Sequence, residues 1–119
     1  MNFQNNSPIY LQLMEQIRIL IISEKLLPGQ RLPSVREWAI SFSVNPNTLQ
    51  KALTELESEG FVYAERTSGR YVTSNCELIE SYKRKYAKKI TQNYLQNMKE
   101  IGYEMSDVLS YLDCDGEGI

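Results

Sequence analysis

The 119-residue sequence contains no histidine and only two cysteines, Cys76 and Cys114, far apart in the chain. Without histidine, catalytic sites that use an imidazole as general base are excluded. Two separated thiols make a poor transition-metal site. Because a glycine-rich phosphate loop and a convincing carboxylate pair are also missing, we expect a protein that is not an enzyme and holds no cofactor or metal. We expect reduced thiols, and a redox-sensing pair stays open.

Long apolar runs are also missing from the sequence. The longest, Ile19 to Ile22, is far shorter than the roughly 20 residues of a membrane-spanning helix. Residues 1–10 lack the basic segment and apolar core of a secretory signal. We therefore expect a cytoplasmic protein without membrane contact.

An excess of positive charge is missing as well. The net charge is −2 and the isoelectric point is about 5.2, which argues against binding nucleic acid through bulk charge alone. Any such binding must depend on where a few basic side chains are placed.

Helix-start signals divide the first 60 residues into three helices. Each start has a side chain that can accept a hydrogen bond from the first turn: Ser7 before Pro8, Ser34 in the capping box Ser34-Val35-Arg36-Glu37, and Asn45 before Pro46. The first helix is expected to end near Ser23 to Lys25, and Gly60 is expected to end the third. Trp38, Phe42 and Phe61 are expected in the core.

After Gly60 the apolar period changes from 3.6 to 2. The β-rich runs Phe61–Glu65 and Arg70–Thr73 predict a two-stranded hairpin with its tip near Ser68 and Gly69. Arg31 and Leu32 can add only a very short strand.

Helical periodicity returns near Glu77, stops at Gly102 and resumes at Ser106. The apolar residues of these two helices are predicted to form a dimerisation surface: Ile79, Tyr82, Tyr86, Ile90, Tyr94, Met98, Val108, Leu109 and Leu112. Fraying is expected from Asp113 to Ile119.

These elements predict a mainly α fold with a small β-hairpin wing. Residues 1–75 would form a winged helix-turn-helix domain (the winged domain), and residues 76–119 a two-helix dimerisation tail (the tail). In a helix-turn-helix the start of the second helix enters the major groove of DNA. The exposed Asn47, Thr48, Gln50, Lys51 and Thr54 are of types that read base edges, and free amides at the helix start would attract a phosphate.

Several motifs resemble the N-terminal domain of the GntR family of transcription regulators. They are Pro8-Ile9-Tyr10, the run from Leu27 to Arg36, Thr48-Leu49, Ala52, the run from Leu53 to Leu56, and Glu59-Gly60, matching without a gap over residues 8–73. The short tail is similar to the YtrA subfamily, in which the tail dimerises and the regulators control transporter operons.

The resemblance implies DNA contacts from the start of the second helix, from the third helix and from the wing. With the residues chosen by type, the predicted DNA-binding set is Ser34, Arg36, Asn45, Asn47, Thr48, Gln50, Lys51, Arg66, Thr67, Ser68, Gly69 and Arg70. Two residues depart from the family pattern. Pro46 replaces a polar side chain, and Thr67 replaces the first glycine of the wing, which puts the tightness of that loop in doubt.

The sequence thus predicts a homodimeric repressor that binds a pseudo-palindromic operator in double-stranded DNA, with a transporter operon as its target. The alternative is a winged-helix adaptor that binds proteins and not DNA. A small-molecule effector is left open. The basic run in the tail is either a solvated helix face or a second DNA-binding segment: Lys83, Arg84, Lys85, Lys88 and Lys89.

Overall fold

The computed structural model describes the backbone of residues 7–115 and the side chains of residues 7–113. Its elements follow in the order α1 (Ile9–Ile22), α2 (Val35–Phe42), α3 (Pro46–Glu59), β1 (Val62–Glu65), β2 (Gly69–Val72), α4 (Cys76–Glu100) and α5 (Met105–Asp115). The predicted fold class, mainly helical with one small antiparallel hairpin, is confirmed.

Side chains cap the second and third helices as predicted. Ser34 Oγ accepts a hydrogen bond from the Glu37 amide at 3.2 Å, and Asn45 Oδ1 accepts one from the Asn47 amide at 2.8 Å. The reciprocal bond of the capping box differs from the prediction. Glu37 Oε1 accepts from the Ser34 hydroxyl at 2.9 Å rather than from the serine amide. The Ser34 hydroxyl is therefore engaged as both donor and acceptor.

The predicted start of the first helix was wrong by one residue. Pro8, with φ −57° and ψ 143°, is the cap of α1, and no side chain caps this helix. The Pro8 carbonyl accepts from the Leu11 and Gln12 amides. Proline fixes only φ, so its ψ is free to take the extended value of a cap. The Ser7 carbonyl instead accepts from the Gln12 side chain at 2.8 Å.

The hydrophobic core of the winged domain lies where α1 packs on α3, with α2 and the hairpin closing its sides. Residues at helical spacing supply it: Leu13, Ile17 and Ile21 from α1, and Leu49, Ala52, Leu53 and Leu56 from α3. Trp38, Phe42 and Phe61 are buried as predicted. Burying one such large side chain stabilises a fold by about 1.5–3 kcal/mol, so this contact fixes the orientation of α3.

The turn between α2 and α3 depends on an unusual backbone conformation at Ser43. This residue has φ 58° and ψ 46°, the left-handed region, which costs a non-glycine residue about 1–2 kcal/mol. The Val44 amide then donates to the Ala39 carbonyl at 3.0 Å. The helix-turn-helix connection therefore consists of Ser43, Val44 and Asn45 only.

The wing is a hairpin with a short third segment beside it. Val62 pairs with Val72, and Glu65 pairs with Gly69 at the tip. Arg31 forms an isolated bridge with Tyr71, which is the very short strand that the sequence predicted. The strands pair β1 with β2 as expected, one residue shorter at the start of β1 and shifted by one residue in β2.

In the tail, α4 is a 25-residue helix with no buried residue. Asn75 Oδ1 caps it by accepting from the Leu78 amide at 3.1 Å, a cap that sequence analysis did not identify. Gly102, with φ 97°, ends the helical run as predicted. The helix α5 begins at Met105, one residue before the predicted Ser106.

The compact units of the chain divide between Ser81 and Tyr82, and the domain boundary placed after residue 75 stays a prediction. The expected fraying from Asp113 was wrong in part, because α5 continues through Asp115; residues 116–119 lie outside the described residues. Over the part of the chain described, no helix is long and apolar enough to cross a membrane.

Candidate nucleic-acid interface

The exposed face of α3 is fixed by what its opposite face buries. Because Leu49, Leu53 and Leu56 are fully buried, helical geometry turns the intervening positions outward. Asn47 and Gln50 are exposed, and so are Lys51 and Thr54, whereas Thr48 is half-buried. The predicted reading face therefore exists as a polar surface, with Thr48 at its edge.

The start of α3 lacks the free amides that sequence analysis expected there. Pro46 has no N–H. The Asn47 amide donates to Asn45 Oδ1, and the Thr48 and Leu49 amides donate to the Asn45 carbonyl at 3.0 and 3.2 Å. The expectation was wrong because Asn45 satisfies these donors itself. A phosphate at this position would have to be bound by side chains.

Arg36 lies in the first turn of α2 beside the capping residue Ser34. It is exposed, and no ion pair involves it among the residues that the structure describes. Its guanidinium is free to bind a phosphate or a guanine edge in a bidentate manner.

The wing tip is a three-residue loop of Arg66, Thr67 and Ser68, closed by the pairing of Glu65 with Gly69. Gly69 has φ 117°, a value that favours glycine. Thr67 is not among the described non-glycine residues with positive φ. The loop therefore closes without a glycine at Thr67, and the exposed Arg66 remains at its tip.

Arg31 is a candidate residue that sequence analysis missed. A β-carbon built on Gly69 would lie 3.4 Å from Arg31 Nε, so this guanidinium packs against the wing. Arg31 also lines a cleft of about 300 Å³ together with Ser34, Glu37 and Arg70. Arg31 reaches the wing because it pairs with Tyr71, forty positions later in the chain. The residues next to Arg31 in the sequence do not indicate this contact.

Two predicted DNA-binding cations have partners within the chain. Lys51 Nζ lies 4.1 Å from the centre of the Tyr10 ring on α1, a cation–π contact. Arg70 donates through Nε to Glu57 Oε1, and its Nη1 lies 3.5 Å from Gln50 Oε1. Glu57 of α3 thus neutralises Arg70.

A second acid of α3 is also paired. Arg18 of α1 donates through Nη2 to Glu59 Oε1 at 2.7 Å and contacts Glu15 at 3.4 Å. The pairs of Arg18 with Glu59 and of Arg70 with Glu57 reduce the negative charge at the C-terminal end of α3. The exposed cations without an ion pair in the described part of the winged domain are Lys25, Arg31, Arg36, Lys51 and Arg66, of which Lys51 contacts the Tyr10 ring.

The residues predicted for dimerisation lie on α4 and α5 with different degrees of exposure. Ile79, Tyr82, Tyr86, Tyr94 and Met98 are half-buried, whereas Ile90, Leu109 and Leu112 are exposed. Val108 is 3% exposed in the single chain, so it has no surface left for a partner in this conformation. The basic run from Lys83 to Lys89 is exposed at each of its five cations.

Residues 9–72 match the family described as "Bacterial regulatory proteins, gntR family". The chain is 37% identical over 116 residues to the uncharacterized HTH-type transcriptional regulator YhcF of Bacillus subtilis. That match covers 98% of this chain and 96% of YhcF, so the similarity includes the tail.

The HTH-type transcriptional repressor YtrA of Bacillus subtilis is 40% identical over 74 residues, which covers 62% of this chain and 57% of YtrA. A solved GntR family transcriptional regulator from Listeria monocytogenes superposes with a TM-score of 0.83 at 32% identity, over 93% of this chain and 97% of that one. The fold, the helix-turn-helix and these relatives agree: the chain belongs to the GntR family of DNA-binding bacterial transcription regulators, which are not enzymes.

Proposed function

We propose that this protein is a sequence-specific repressor that acts as a homodimer on a pseudo-palindromic operator. The tail holds two copies together, and each copy places the start of α3 in the major groove while Arg66 at the wing tip reaches the backbone or the minor groove. Two-fold symmetry then puts the half-sites about one helical turn, roughly 34 Å, apart. Occupying a promoter at such a site blocks transcription.

The observation that carries the homodimer is the exposed apolar surface of the tail. No residue of the 25-residue α4 is buried, and Ile90, Ile101 and Leu109 are 52%, 70% and 60% exposed. A helix in water owes most of its stability to packing of an apolar face, and oligomers of one chain are most often two-fold symmetric dimers. A second copy supplies the missing packing.

The charge pattern of the tail supports the same partner. Residues 81–99 contain six basic side chains and no acid, whereas residues 100–119 contain six acids and no base. A tail that meets a second tail can therefore place its basic segment near the acidic segment of the partner, and opposite charges at an interface favour that register over one that pairs like charges.

The groove assignment rests on the polar face of α3 and the unpaired Arg36. Asn and Gln side chains read adenine edges and Arg reads guanine or clamps phosphate, and Asn47, Gln50 and Arg36 are all exposed. With few free cations, affinity depends on base contacts and on dimer symmetry more than on charge, so its salt dependence is expected to be shallow.

The first experiment measures mass and DNA binding on the same sample. Light scattering at micromolar concentration is expected to give twice the monomer mass of 13.8 kDa, and a gel shift is expected to show specific binding to upstream intergenic DNA. A monomer mass contradicts the homodimer. Absence of specific DNA binding by the intact dimer over a range of salt favours the adaptor.

A variant pair then tests the groove assignment. Arg36→Ala and Gln50→Ala are each expected to weaken operator binding by about 1–3 kcal/mol. Lys25→Ala removes the same charge from the exposed turn after α1 and serves as the matched control, with affinity expected to stay near wild type. Equal affinity of all three variants contradicts the assignment.

The resemblance to the YtrA subfamily supports a transporter operon as the target. Deletion of the gene is expected to raise transcription of an adjacent transporter operon, measured by sequencing of RNA. Unchanged transport transcripts together with a raised unrelated operon contradict this part of the proposal and leave repression intact.

A further inference from the structure

Arg70 links the wing to the polar face of α3. It lies on β2, and its guanidinium reaches two side chains of α3 that are seven positions apart, Glu57 through Nε and Gln50 through Nη1. The side chains of Arg70 and Glu57 are only 21% and 31% exposed. The ion pair is therefore partly shielded from water, which strengthens it relative to a surface pair.

The contact with Arg70 determines which end of the Gln50 amide faces the protein. A guanidinium has five N–H donors and no acceptor, so only the amide oxygen of Gln50 can face it. The distance of 3.5 Å is long for a hydrogen bond, but the charge still attracts the oxygen and repels the NH2 group.

Thr54 favours the same orientation through a weaker contact that involves no charge. Its hydroxyl donates to the Gln50 main-chain carbonyl at 2.9 Å, which uses its only proton. Toward the Gln50 side chain Thr54 therefore offers lone pairs alone, and Gln50 Nε2 lies 3.5 Å from Thr54 Oγ1. Arg70 can only donate and Thr54 can only accept, so both favour the same orientation of the Gln50 amide.

We propose that Arg70 is a positioning residue that makes Gln50 a hydrogen-bond donor toward DNA. A free glutamine pairs with adenine by accepting from N6 and donating to N7. With its oxygen facing a cation and one N–H directed to Thr54, Gln50 has its second N–H left for DNA, which suits the guanine edge, where O6 and N7 both accept. The base under Gln50 is therefore guanine in preference to adenine. This inference rests on the proposed function, because it requires Gln50 to meet a base.

The test compares operators that differ only at the base pair read by Gln50. This position is identified by measuring the binding of Gln50→Ala to operators that carry each of the four bases in turn. It is the position at which the variant no longer prefers any base. For the wild-type dimer, guanine is expected to bind at least about tenfold more tightly than adenine, a typical discrimination by one side chain. Arg70→Met is expected to lower this ratio several-fold at that position alone, because only the uncharged contact with Thr54 then favours one orientation of the amide.

Three further variants separate positioning from other roles. Arg66→Met removes an unpaired wing cation and is expected to weaken all four operators equally. Arg70→Lys keeps a donor-only cation and is expected to restore part of the guanine preference. Glu57→Gln keeps the shape but loses the charge that anchors Arg70, and the ratio is expected to fall by a smaller factor. If Arg70→Met does not fold by circular dichroism, Glu57→Gln decides the question.

The outcomes for the two proposals differ. Specific binding with a base profile that Arg70→Met and Glu57→Gln leave unchanged, or a wild-type preference for adenine, overturns the role of Arg70 and leaves the repressor intact. Absence of specific binding by the wild-type protein overturns the proposed function itself.

Discussion

The winged domain and the tail have the same kind of apolar periodicity but use it differently. In α3 the residues at helical spacing are buried within one chain, Leu53 to 1% exposure. In α4 an equally regular series leaves no residue buried. Hydrophobic spacing therefore predicts that a face will be covered, but the same spacing does not reveal whether this chain or another one covers it.

Charge distinguishes the two regions in a parallel way. In the winged domain opposite charges meet across elements, as in the pairs of Arg18 with Glu59 and Arg70 with Glu57. From residue 81 of the tail they are separated along the sequence, with only basic residues up to position 99 and only acidic residues from position 100 on. The winged domain pairs some of its charges across elements, whereas the described charged side chains of the tail are all exposed.

The largest expected effect contrasts a buried leucine with an exposed one. Leu53→Ala leaves a cavity in the α1–α3 contact and is expected to lower the free energy of unfolding by about 2–5 kcal/mol. Leu109→Ala, at 60% exposure, is expected to change it by less than about 0.5 kcal/mol at concentrations where the protein is monomeric. Urea titrations of both variants measure the difference, and equal losses would remove the contrast.

The next effect concerns the exposed apolar surface of the tail. The double variant Ile90→Lys and Leu109→Lys places two charges where an apolar partner is expected, and it should raise the dimer dissociation constant at least about a hundredfold. Leu27→Lys changes an equally exposed apolar residue, 53%, in the winged domain and serves as the control. Sedimentation across a dilution series gives both constants. A double variant that dimerises like the control contradicts the assignment.

A smaller effect compares the caps of the two regions. Asn45→Ala and Asn75→Ala each remove a side-chain oxygen that accepts from the first turn of a helix, at an expected cost of about 1 kcal/mol. Asn45 caps a helix packed in the core, so its loss is expected to lower the melting temperature of the whole winged domain. The Asn75→Ala variant is expected to fray the start of α4, and faster hydrogen exchange of the amides of residues 76–79 would detect that fraying. Unchanged exchange there would argue against the cap.

The smallest effect is expected for the ion pair between α1 and α3. Glu59→Gln removes the partner of Arg18, whose side chain is 14% exposed against 40% for Glu59. Water and salt screen such a pair, so the loss is expected to be at most about 1 kcal/mol and to diminish in 1 M salt. Thermal melts at low and high salt measure it, with Glu24→Gln, an exposed residue without an ion pair among the described residues, as the control. A loss that is independent of salt would indicate packing.

Local signals explain how much of the fold could be predicted. The caps Ser34 and Asn45, the end of α3 at Gly60 and the change of period after it are each encoded within a few adjacent residues, and each was predicted correctly. The left-handed Ser43 was missed, because serine carries no preference for that conformation. The extended cap at Pro8 was misplaced, because proline fixes only φ, and its ψ can take the extended value of a cap although proline is commoner at the first helical position.

The sequence predicted which residues of the site are exposed, but not which side chains contact one another. Asn47 and Gln50 lie on the exposed face as expected, because the buried stripe of α3 fixes them. The bonds of Arg70 to Glu57 and Gln50, and the contact of Lys51 with Tyr10, join residues that are 13 to 41 positions apart. Such contacts form when helices and strands pack together, so the spacing of residues along the sequence does not predict them.

The glycine that closes the wing has a consequence for how the operator preference of this protein could be re-engineered. Gly69 is constrained by its φ of 117°, which residues with a side chain rarely adopt. Thr67, two residues earlier, has no positive φ. A library that randomises the loop is therefore expected to keep glycine at 69 in nearly every folded clone while it accepts many residues at 66 and 67, so the wing offers a variable tip on an invariant closing residue.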